Sequence, residues 1–294
     1  MPVHQILCRL ILLAAVASGW NSLQAQESHP GKGKVYTEPP KDDPSYLLQG
    51  EFVGPVAIGE NEYQPLGLQV RPVGGDDFEA VSFMGGLPGE KNHQPEPVKM
   101  IGRRSGDFVV LSGGPWAIFA EKDHCLIVDR EGNKVGQLDR IERSSSTLGA
   151  RPPQDAVVIF DGTNIDQFTN AQMTKQGLLM AGADLKPMFQ DFDLHLEFRL
   201  PYMPSAEGQS RGNSGVYLQS RYECQVLDSF AQDRLANGCG ALYRFRKPDV
   251  NMCLPPLVWQ TYDIRFTAPR WAADGSKLRD AHVTSWINGV KVQD

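Results

Sequence analysis

The side chains best placed to do chemistry lie in residues 211–228, RGNSGVYLQSRYECQVLD, where a Gly-Asn-Ser-Gly turn leads into a strand-like alternation of apolar and polar residues. Because strand side chains point to opposite faces with a period of two, Glu223 and Gln225 share one face. A carboxylate beside an amide can accept a proton and bind hydroxyl groups. Asp228 has the opposite parity, so it reaches that face only if the strand bulges or ends first, and a turn-capping role is the alternative.

A second polar set belongs to the strand pattern FDLHLEFRL at residues 192–200. His195, Glu197 and Arg199 alternate there with leucine and phenylalanine, which predicts one polar and one apolar face. We expect this strand to lie beside the first, with both polar sets in one shared pocket that includes Glu223. A solvated sheet face with weak cross-strand ion pairs is the alternative for the second set.

Composition indicates a globular protein of about two domains, since the 294 residues are 41% hydrophobic and 22% charged. The formal net charge is −6 and basic runs are absent, which argues against a nucleic-acid partner because phosphate binding needs clustered Lys and Arg. Residues 1–25 combine Arg9, a short apolar run and a small residue at Ala25, which predicts a secretory signal peptide. The run is shorter than the about 20 residues of a membrane span, so we expect export and no span after cleavage; an uncleaved anchor is the alternative.

The sequence contains five cysteines, of which Cys8 lies in the predicted signal peptide. The other four allow three disulfide pairings in an exported protein. We favour a disulfide between Cys239 and Cys253, which would stabilise the fold by roughly 3 kcal/mol for so short a loop. Cys224 is expected to be a buried free thiol. The spacings do not match a Cys-x-x-Cys zinc site.

Changes in composition divide the rest of the chain. Residues 26–46 are rich in Lys, Pro and Gly without apolar periodicity, which predicts a flexible leader. Short apolar runs between glycines and prolines predict a small all-β accessory domain at residues 47–143, followed by a Ser- and Pro-rich linker at residues 144–154. Residues 155–294 contain six or seven strand patterns and no helix pattern, which indicates an antiparallel β-sandwich.

Six motifs occur in order over residues 155–294, and together they resemble the family of 3-keto-disaccharide hydrolases. They are FDG, DFDLHLEFRLP, GNSGVYLQSRYECQVLDS, NGCGALY, WQTYDIRFTAPR and INGVKV. The resemblance implies a concanavalin-like jelly-roll β-sandwich and an enzyme of bacterial sugar breakdown in the periplasm, cell envelope or exterior. It implies cleavage of 3-keto-glycosides by elimination and hydration, with hydrolysis as the net result. Family members normally continue beyond INGV, so we expect this domain to be incomplete at its C-terminus.

A ketone at C3 of a pyranose acidifies the C2 proton, because the resulting carbanion is delocalised as an enolate. Catalysis then needs a base near C2, a proton donor near the glycosidic oxygen and hydrogen bonds to the enolate. Under the resemblance, Glu223 is the base or a metal ligand, and Glu197 and His195 are the alternatives for proton transfer. A divalent cation is a possible cofactor.

The residues expected to bind substrate hydroxyls, the ketone or a sugar ring share the polar faces of these strands. They are Asn213, Gln225, Arg199, Asp228 and Trp259. A non-catalytic carbohydrate-binding module, with Trp259 or Trp271 as a stacking ring, is the competing hypothesis. An ordinary retaining glycosidase is disfavoured, because its two carboxyl groups lie about 5–5.5 Å apart and the 223–227 strand face offers one.

Overall fold

A computed structural model describes residues 4–9, 27–29 and 33–294. The fold is nearly all-β, as the sequence predicts, and the described residues contain one four-residue helix, α1 (Ser45–Leu48), and one 3-10 turn (Gly208–Ser210). The described residues form two β units. No helix in this described part has the length and apolar character needed to cross a membrane.

The first unit is a closed barrel of eight antiparallel strands. Its strands are β4 (Gly50–Gly59), β5 (Glu62–Gly74), β6 (Asp77–Met84), β7 (Val98–Ser105), β8 (Phe108–Ser112), β9 (Ala117–Ala120), β10 (His124–Val128) and β11 (Lys134–Ile141). Neighbours pair in the order β10-β11-β4-β5-β6-β7-β8-β9, and β9 pairs with β10 to close the ring. Closure leaves no free sheet edge in the unit.

The barrel interior is filled by the apolar residues that alternate along these strands. Phe52, Leu68, Val109, Ile118 and Ile127 are fully buried in one cluster. Strand signals alone predict a small β unit here, but they do not distinguish an open sheet from a closed barrel, because closure depends on strand tilt and register.

The second unit is a β-sandwich whose larger layer is a six-stranded sheet. The sheet has the order β12-β1-β15-β18-β21-β22, with β12 (Val157–Phe160), β1 (His4–Arg9), β15 (Phe192–Arg199), β18 (Trp259–Thr267), β21 (His282–Ile287) and β22 (Val290–Gln293). Strand β1 pairs in parallel with both β12 and β15. Strand β1 belongs to the predicted signal peptide, and residues 1–3 and 10–25 of that prediction lie outside the described residues.

The opposite layer contains the hairpin of β16 (Asn213–Leu218) and β17 (Tyr222–Leu227). Cys224 and Val226 of β17 belong to the same buried cluster as Leu196 and Phe198 of β15. The apolar faces of the hairpin and of β15 therefore meet in the sandwich core. Their polar faces point away from that core in opposite directions.

Short strands complete the described structure. They are β2 (Glu27–His29), β3 (Gly33–Val35), β13 (Phe168–Thr169), β14 (Asp184–Leu185), β19 (Arg270–Trp271) and β20 (Lys277–Arg279), which pair as β2-β3, β13-β14 and β19-β20.

Part of the predicted flexible leader packs on the sandwich instead. Tyr36 and Tyr202 exchange two backbone hydrogen bonds, of 3.0 and 2.9 Å, and the Tyr202 hydroxyl donates to Asp43 over 3.0 Å. Val35 is buried against Met203. Composition did not reveal this docking, because a few isolated apolar side chains anchor the segment without any periodic pattern.

Candidate functional site

The candidate site lies on the outward face of the β16–β17 hairpin. The alternation over residues 214–228 predicts one continuous strand, but Gln219 and Ser220 reverse the chain with positive φ values of 51° and 55°. The turn lacks the Asn-Gly or Asp-Gly signal that usually marks such a reversal. Within β17 the predicted parity is correct: Cys224 and Val226 enter the core, and Glu223 shares the outward face with Gln225.

Two tyrosines flank Glu223 on this face. Tyr217 is the cross-strand partner of Glu223, so the phenol and the carboxylate lie side by side on this face. The Tyr243 backbone N–H donates to the Glu223 carbonyl over 2.9 Å. Its neighbour Leu242 forms a β-bridge with Cys224, so the side chains of Tyr243 and Glu223 lie on the same face. Tyr217 is 62% exposed and Glu223 is half-buried, so a solute can reach this row of side chains.

Partial burial, and then the hydrogen bond with Glu223, raise the pKa of Tyr217 above its ordinary value. The phenol is therefore protonated at neutral pH and can act as a proton donor. Gly215 lies beside Glu223 on the neighbouring strand, and a Cβ at this position would overlap the carboxylate. The absence of a side chain there leaves room for Glu223 to lie against the hairpin.

The side chains of Gln225, Gln209 and Asn213 form an amide cluster next to Glu223. The Gln225 amide is 3.0 Å from Gln209 Oε1 and 3.3 Å from Asn213 Oδ1 on one side, and 2.8 Å from Ser214 O and 3.1 Å from Glu223 Oε1 on the other. Gln225 is only 1% exposed, so it supports Glu223 from below and has no free surface for a substrate. The predicted substrate contact by Gln225 is wrong for this reason. Asn213 is half-buried and donates to Gln209 O over 2.9 Å, so it holds the same cluster together.

Asp228 follows the end of β17 and is buried rather than placed beside Glu223. Its carboxylate accepts from Arg211 Nε at 2.9 Å, and Arg211 Nη2 lies 2.7 Å away. Both side chains are almost completely buried, at 1% and 0% exposure. Their ion pair joins the chain entering the hairpin to the chain leaving it, so Asp228 is a structural anchor and its predicted role in substrate binding is wrong.

The expected pocket shared by the two strands does not exist. Leu196 and Phe198 of β15 face the core together with Cys224, so the side chains between them point to the far surface of the sandwich, away from Glu223. Glu197 is 5% exposed there and accepts a 2.5 Å hydrogen bond from the Gly149 N–H. The sequence predicted the polar face of each strand correctly but placed the two strands side by side, whereas they belong to opposite layers.

His195 belongs to the same covered surface. Its Nδ1 donates to Asp263 Oδ1 over 2.5 Å, and its buried Nε2 lies 3.8 Å from Glu197 Oε1. Among the described residues this Nε2 has no hydrogen-bond partner. The linker covers the group, because Thr147 Oγ1 donates to Asp263 Oδ2 over 3.1 Å and Ser145 Oγ lies 2.6 Å from Thr261 Oγ1. His195 and Glu197 therefore fasten the linker and cannot exchange protons with a substrate at Glu223.

Arg199 and Trp259 also lie on the face that points away from Glu223, and their substrate contacts stay predictions. These two residues are cross-strand partners on the covered face, and the Arg199 guanidinium lies 5.6 Å from the Trp259 ring centroid. Arg199 Nη2 also lies 3.4 Å from Glu38 Oε1, in the leader segment. The cation thus stabilises the docking of the leader.

The predicted disulfide is absent, since Cys239 and Cys253 are buried free thiols. The two side chains are in hydrogen-bonding contact, and this contact together with burial raises the pKa of Cys253 well above its ordinary value. Cys253 Sγ also lies 3.4 Å from Leu227 O. Burial raises the pKa of Cys224 to about 12, and its position in the core is the one that the strand pattern predicts.

Metal binding gains no support from the side-chain geometry. Within residues 33–294, no cluster of three or more His, Cys, Asp or Glu side chains is arranged to hold a metal ion.

Two residues of the site were missed in the sequence. In one continuous strand Tyr217 would lie six residues away from Glu223. The register of the hairpin instead places the two residues opposite each other. Gln209 comes from the 3-10 turn before β16, and nothing in its local pattern marks it. Tyr243 joins the same row because its neighbour Leu242 pairs with β17.

Comparison with known proteins agrees with the motif-based resemblance. Residues 155–294 match the model of the 3-keto-alpha-glucoside-1,2-lyase-like domain family. A solved structure from Parabacteroides distasonis, described as a "putative glycosyl hydrolase", is 34% identical over 48% of this chain and 65% of its own chain, with a TM-score of 0.45. The chain thus spans about two thirds of that protein, and no curated protein matches it. Residues 155–294, the second unit, are therefore similar to the 3-keto-alpha-glucoside-1,2-lyase-like domain family.

Proposed function

We propose that the second unit cleaves 3-keto-glycosides by removing the C2 proton and eliminating the oxygen substituent from C1. The supporting observation is the row formed by Tyr217, Glu223 and Tyr243, which presents one carboxylate between two phenols on an accessible sheet face. The family description adds that related domains are 1,2-lyase-like, which matches elimination across C1 and C2.

Glu223 is the base in this proposal. The C3 ketone stabilises the charge left on C2 as an enolate, which then re-forms the ketone as a C1–C2 double bond forms and the C1–O bond breaks. A positioned base contributes typically about 10²–10⁴-fold to such a rate. Gln225 lies 3.1 Å from Glu223 Oε1 and is buried, so it acts as a positioning residue that fixes the carboxylate.

Tyr217 is the proton donor to the departing oxygen. Its raised pKa keeps the phenol protonated, and the cross-strand register of the hairpin places it beside Glu223. The products of the elimination are a free alcohol and an unsaturated 3-keto sugar. Addition of water across the C1–C2 double bond then gives the 3-keto sugar, so the net reaction is hydrolysis.

The test is release of nitrophenol from a nitrophenyl 3-keto-glucoside by the full chain. We expect turnover by the unmodified protein, and a loss of about 10²–10⁴-fold in Glu223→Gln because the amide cannot accept the C2 proton. The exposed Glu60→Gln in the barrel is the matched control and should keep the full rate. Binding of unoxidised glycans without any turnover of the 3-keto substrate would contradict the proposal and favour a carbohydrate-binding module.

We also propose that the protein is exported, because residues 1–25 have the composition of a signal peptide. N-terminal sequencing of protein made by a secreting bacterial host checks this, with a mature chain beginning after Ala25 as the expected result. A secreted chain that keeps residues 4–9, which form strand β1 of the sandwich, would contradict cleavage.

A further inference from the structure

A second cleft opens at one end of the sandwich, beside the tip of the β16–β17 hairpin. Its volume is about 550 Å³, within the range of about 300–1,000 Å³ that is usual for small-molecule sites. Arg221 and Gln219 from the hairpin turn line one part, and Trp271 and Lys277 from the β19–β20 hairpin line another. None of the residues around Glu223 lines this cleft except Tyr222, its neighbour in sequence, which faces the opposite way.

Trp271 supplies an exposed aromatic ring. Its side chain is 57% exposed, although indoles in folded proteins are usually largely buried. Lys277 Nζ lies 5.5 Å from the ring centroid, and a cation at this distance helps to fix the orientation of the indole. A large apolar ring held at the wall of a polar cleft is suited to stacking on the C–H face of a sugar.

Arg221 supplies the positive charge that has no counterion. It is exposed and, within the part of the chain that the structure describes, its guanidinium makes no hydrogen bond or ion pair. The other lining cation, Lys277, is paired with Asp280 at 2.8 Å, so the cleft has two cations and one carboxylate. A free guanidinium binds a carboxylate through two parallel hydrogen bonds.

Amide groups complete the lining. Gln219 Nε2 donates to Phe189 O over 3.2 Å, which fixes this amide and leaves its oxygen free to accept. Gln190 also lines the cleft. The fixed Gln219 amide beside an aromatic ring provides a directional polar contact of the kind that a hydroxylated ligand needs.

We propose that this cleft binds an acidic saccharide, with Trp271 stacking on a sugar ring and Arg221 pairing with the carboxylate of a uronic acid unit. Binding needs no turnover, so the proposal does not depend on the reaction at Glu223.

The test is titration of the full chain with tetragalacturonate, followed by tryptophan fluorescence and calorimetry, with the neutral cellotetraose as the comparison. We expect saturable binding of the acidic tetrasaccharide, at least about tenfold tighter than the neutral one. Trp271→Ala and Arg221→Ala should each weaken it about tenfold or more, whereas the exposed Arg130→Ala in the barrel should leave it unchanged.

Glu223→Gln separates the two sites, because it should lower turnover by about 10²–10⁴-fold without affecting tetragalacturonate binding. Equal binding of both tetrasaccharides, or binding that neither cleft substitution weakens, would overturn the proposal. So would the absence of binding by the unmodified protein, whatever its activity toward 3-keto-glycosides.

Discussion

The sandwich has two polar faces that look alike in the sequence and differ in what lies over them. On the hairpin face, Glu223 is flanked by Tyr217 and remains accessible. On the β15 face, Glu197 and His195 are covered by the linker and make hydrogen bonds to its backbone or to Asp263. Alternation of polar residues therefore predicts which side chains leave the core, but the neighbouring segment determines whether they can meet a substrate.

The covering of the β15 face and the accessibility of the hairpin face also explain why only the hairpin face can present a reactive side chain to a substrate. The β15 face uses its charges to hold residues 145–149, so its carboxylates are engaged in structure. The hairpin face is supported from below instead, by the Gln225 amide cluster and by the buried pair of Arg211 and Asp228. Glu223 can thus be held in place while one side of it remains open.

The largest stability effect is expected from the anchor of the hairpin face. Asp228→Ala leaves the Arg211 guanidinium buried without its partner, which should reduce the free energy of unfolding by about 3–5 kcal/mol. Asp249→Ala is the control, because its pair with Arg246 is exposed and contributes about 1 kcal/mol or less. Urea denaturation measures both, and equal small losses would show that the buried pair does not anchor the hairpin.

A smaller effect is expected on the covered face. Glu197→Ala removes the acceptor of the Gly149 N–H and should lower the free energy of unfolding by about 1–3 kcal/mol. A protease of broad specificity, such as proteinase K, should then cut within residues 145–149 faster, because this segment loses a contact to the sheet. An unchanged rate of cleavage within residues 145–149 would show that the linker does not depend on this carboxylate.

Gln225→Ala tests whether the amide cluster positions the base. Loss of the amide lets Glu223 move, and misplacement of a catalytic group by about 1 Å can cost up to about 10²-fold in rate, so we expect a drop on the order of tenfold. The decrease should appear in kcat and leave KM nearly unchanged, since Gln225 has no exposed surface for substrate. Steady-state kinetics with a 3-keto-glucoside measure both, and a rise in KM alone would mean that Gln225 contacts the sugar.

No effect is expected from omitting reductant. Cys239 and Cys253 are buried thiols, and contact with Cys239 together with burial raises the pKa of Cys253, so the reactive thiolate is scarce. Intact mass should show both thiols reduced and slow to react with a thiol reagent until the protein is unfolded. A mass lower by about two hydrogens would show that the predicted disulfide between these cysteines forms.

The sequence predicts local features better than long-range ones. The parity of Glu223 in β17 and of Glu197 in β15 followed from a period of two, and both are correct. The order of strands in a sheet depends on how the chain crosses between layers. The alternation of residues within one strand does not predict these crossings. The Gln219–Ser220 turn was missed because non-glycine residues adopt its positive φ angles. Family motifs predicted the sandwich of the second unit. The closure of the first unit into a barrel depends on the register between its strands, which strand patterns do not predict.

The accessible face and the covered face can be compared directly by measuring release of nitrophenol from one 3-keto-glucoside by Glu223→Gln and by Glu197→Gln. Each substitution replaces a carboxylate with an amide of nearly the same shape. We expect Glu223→Gln to lose about 10²–10⁴-fold in rate, because the base is gone, while Glu197→Gln stays within about threefold of the unmodified protein. Equal losses, or a larger loss in Glu197→Gln, would contradict the assignment of the chemistry to the hairpin face.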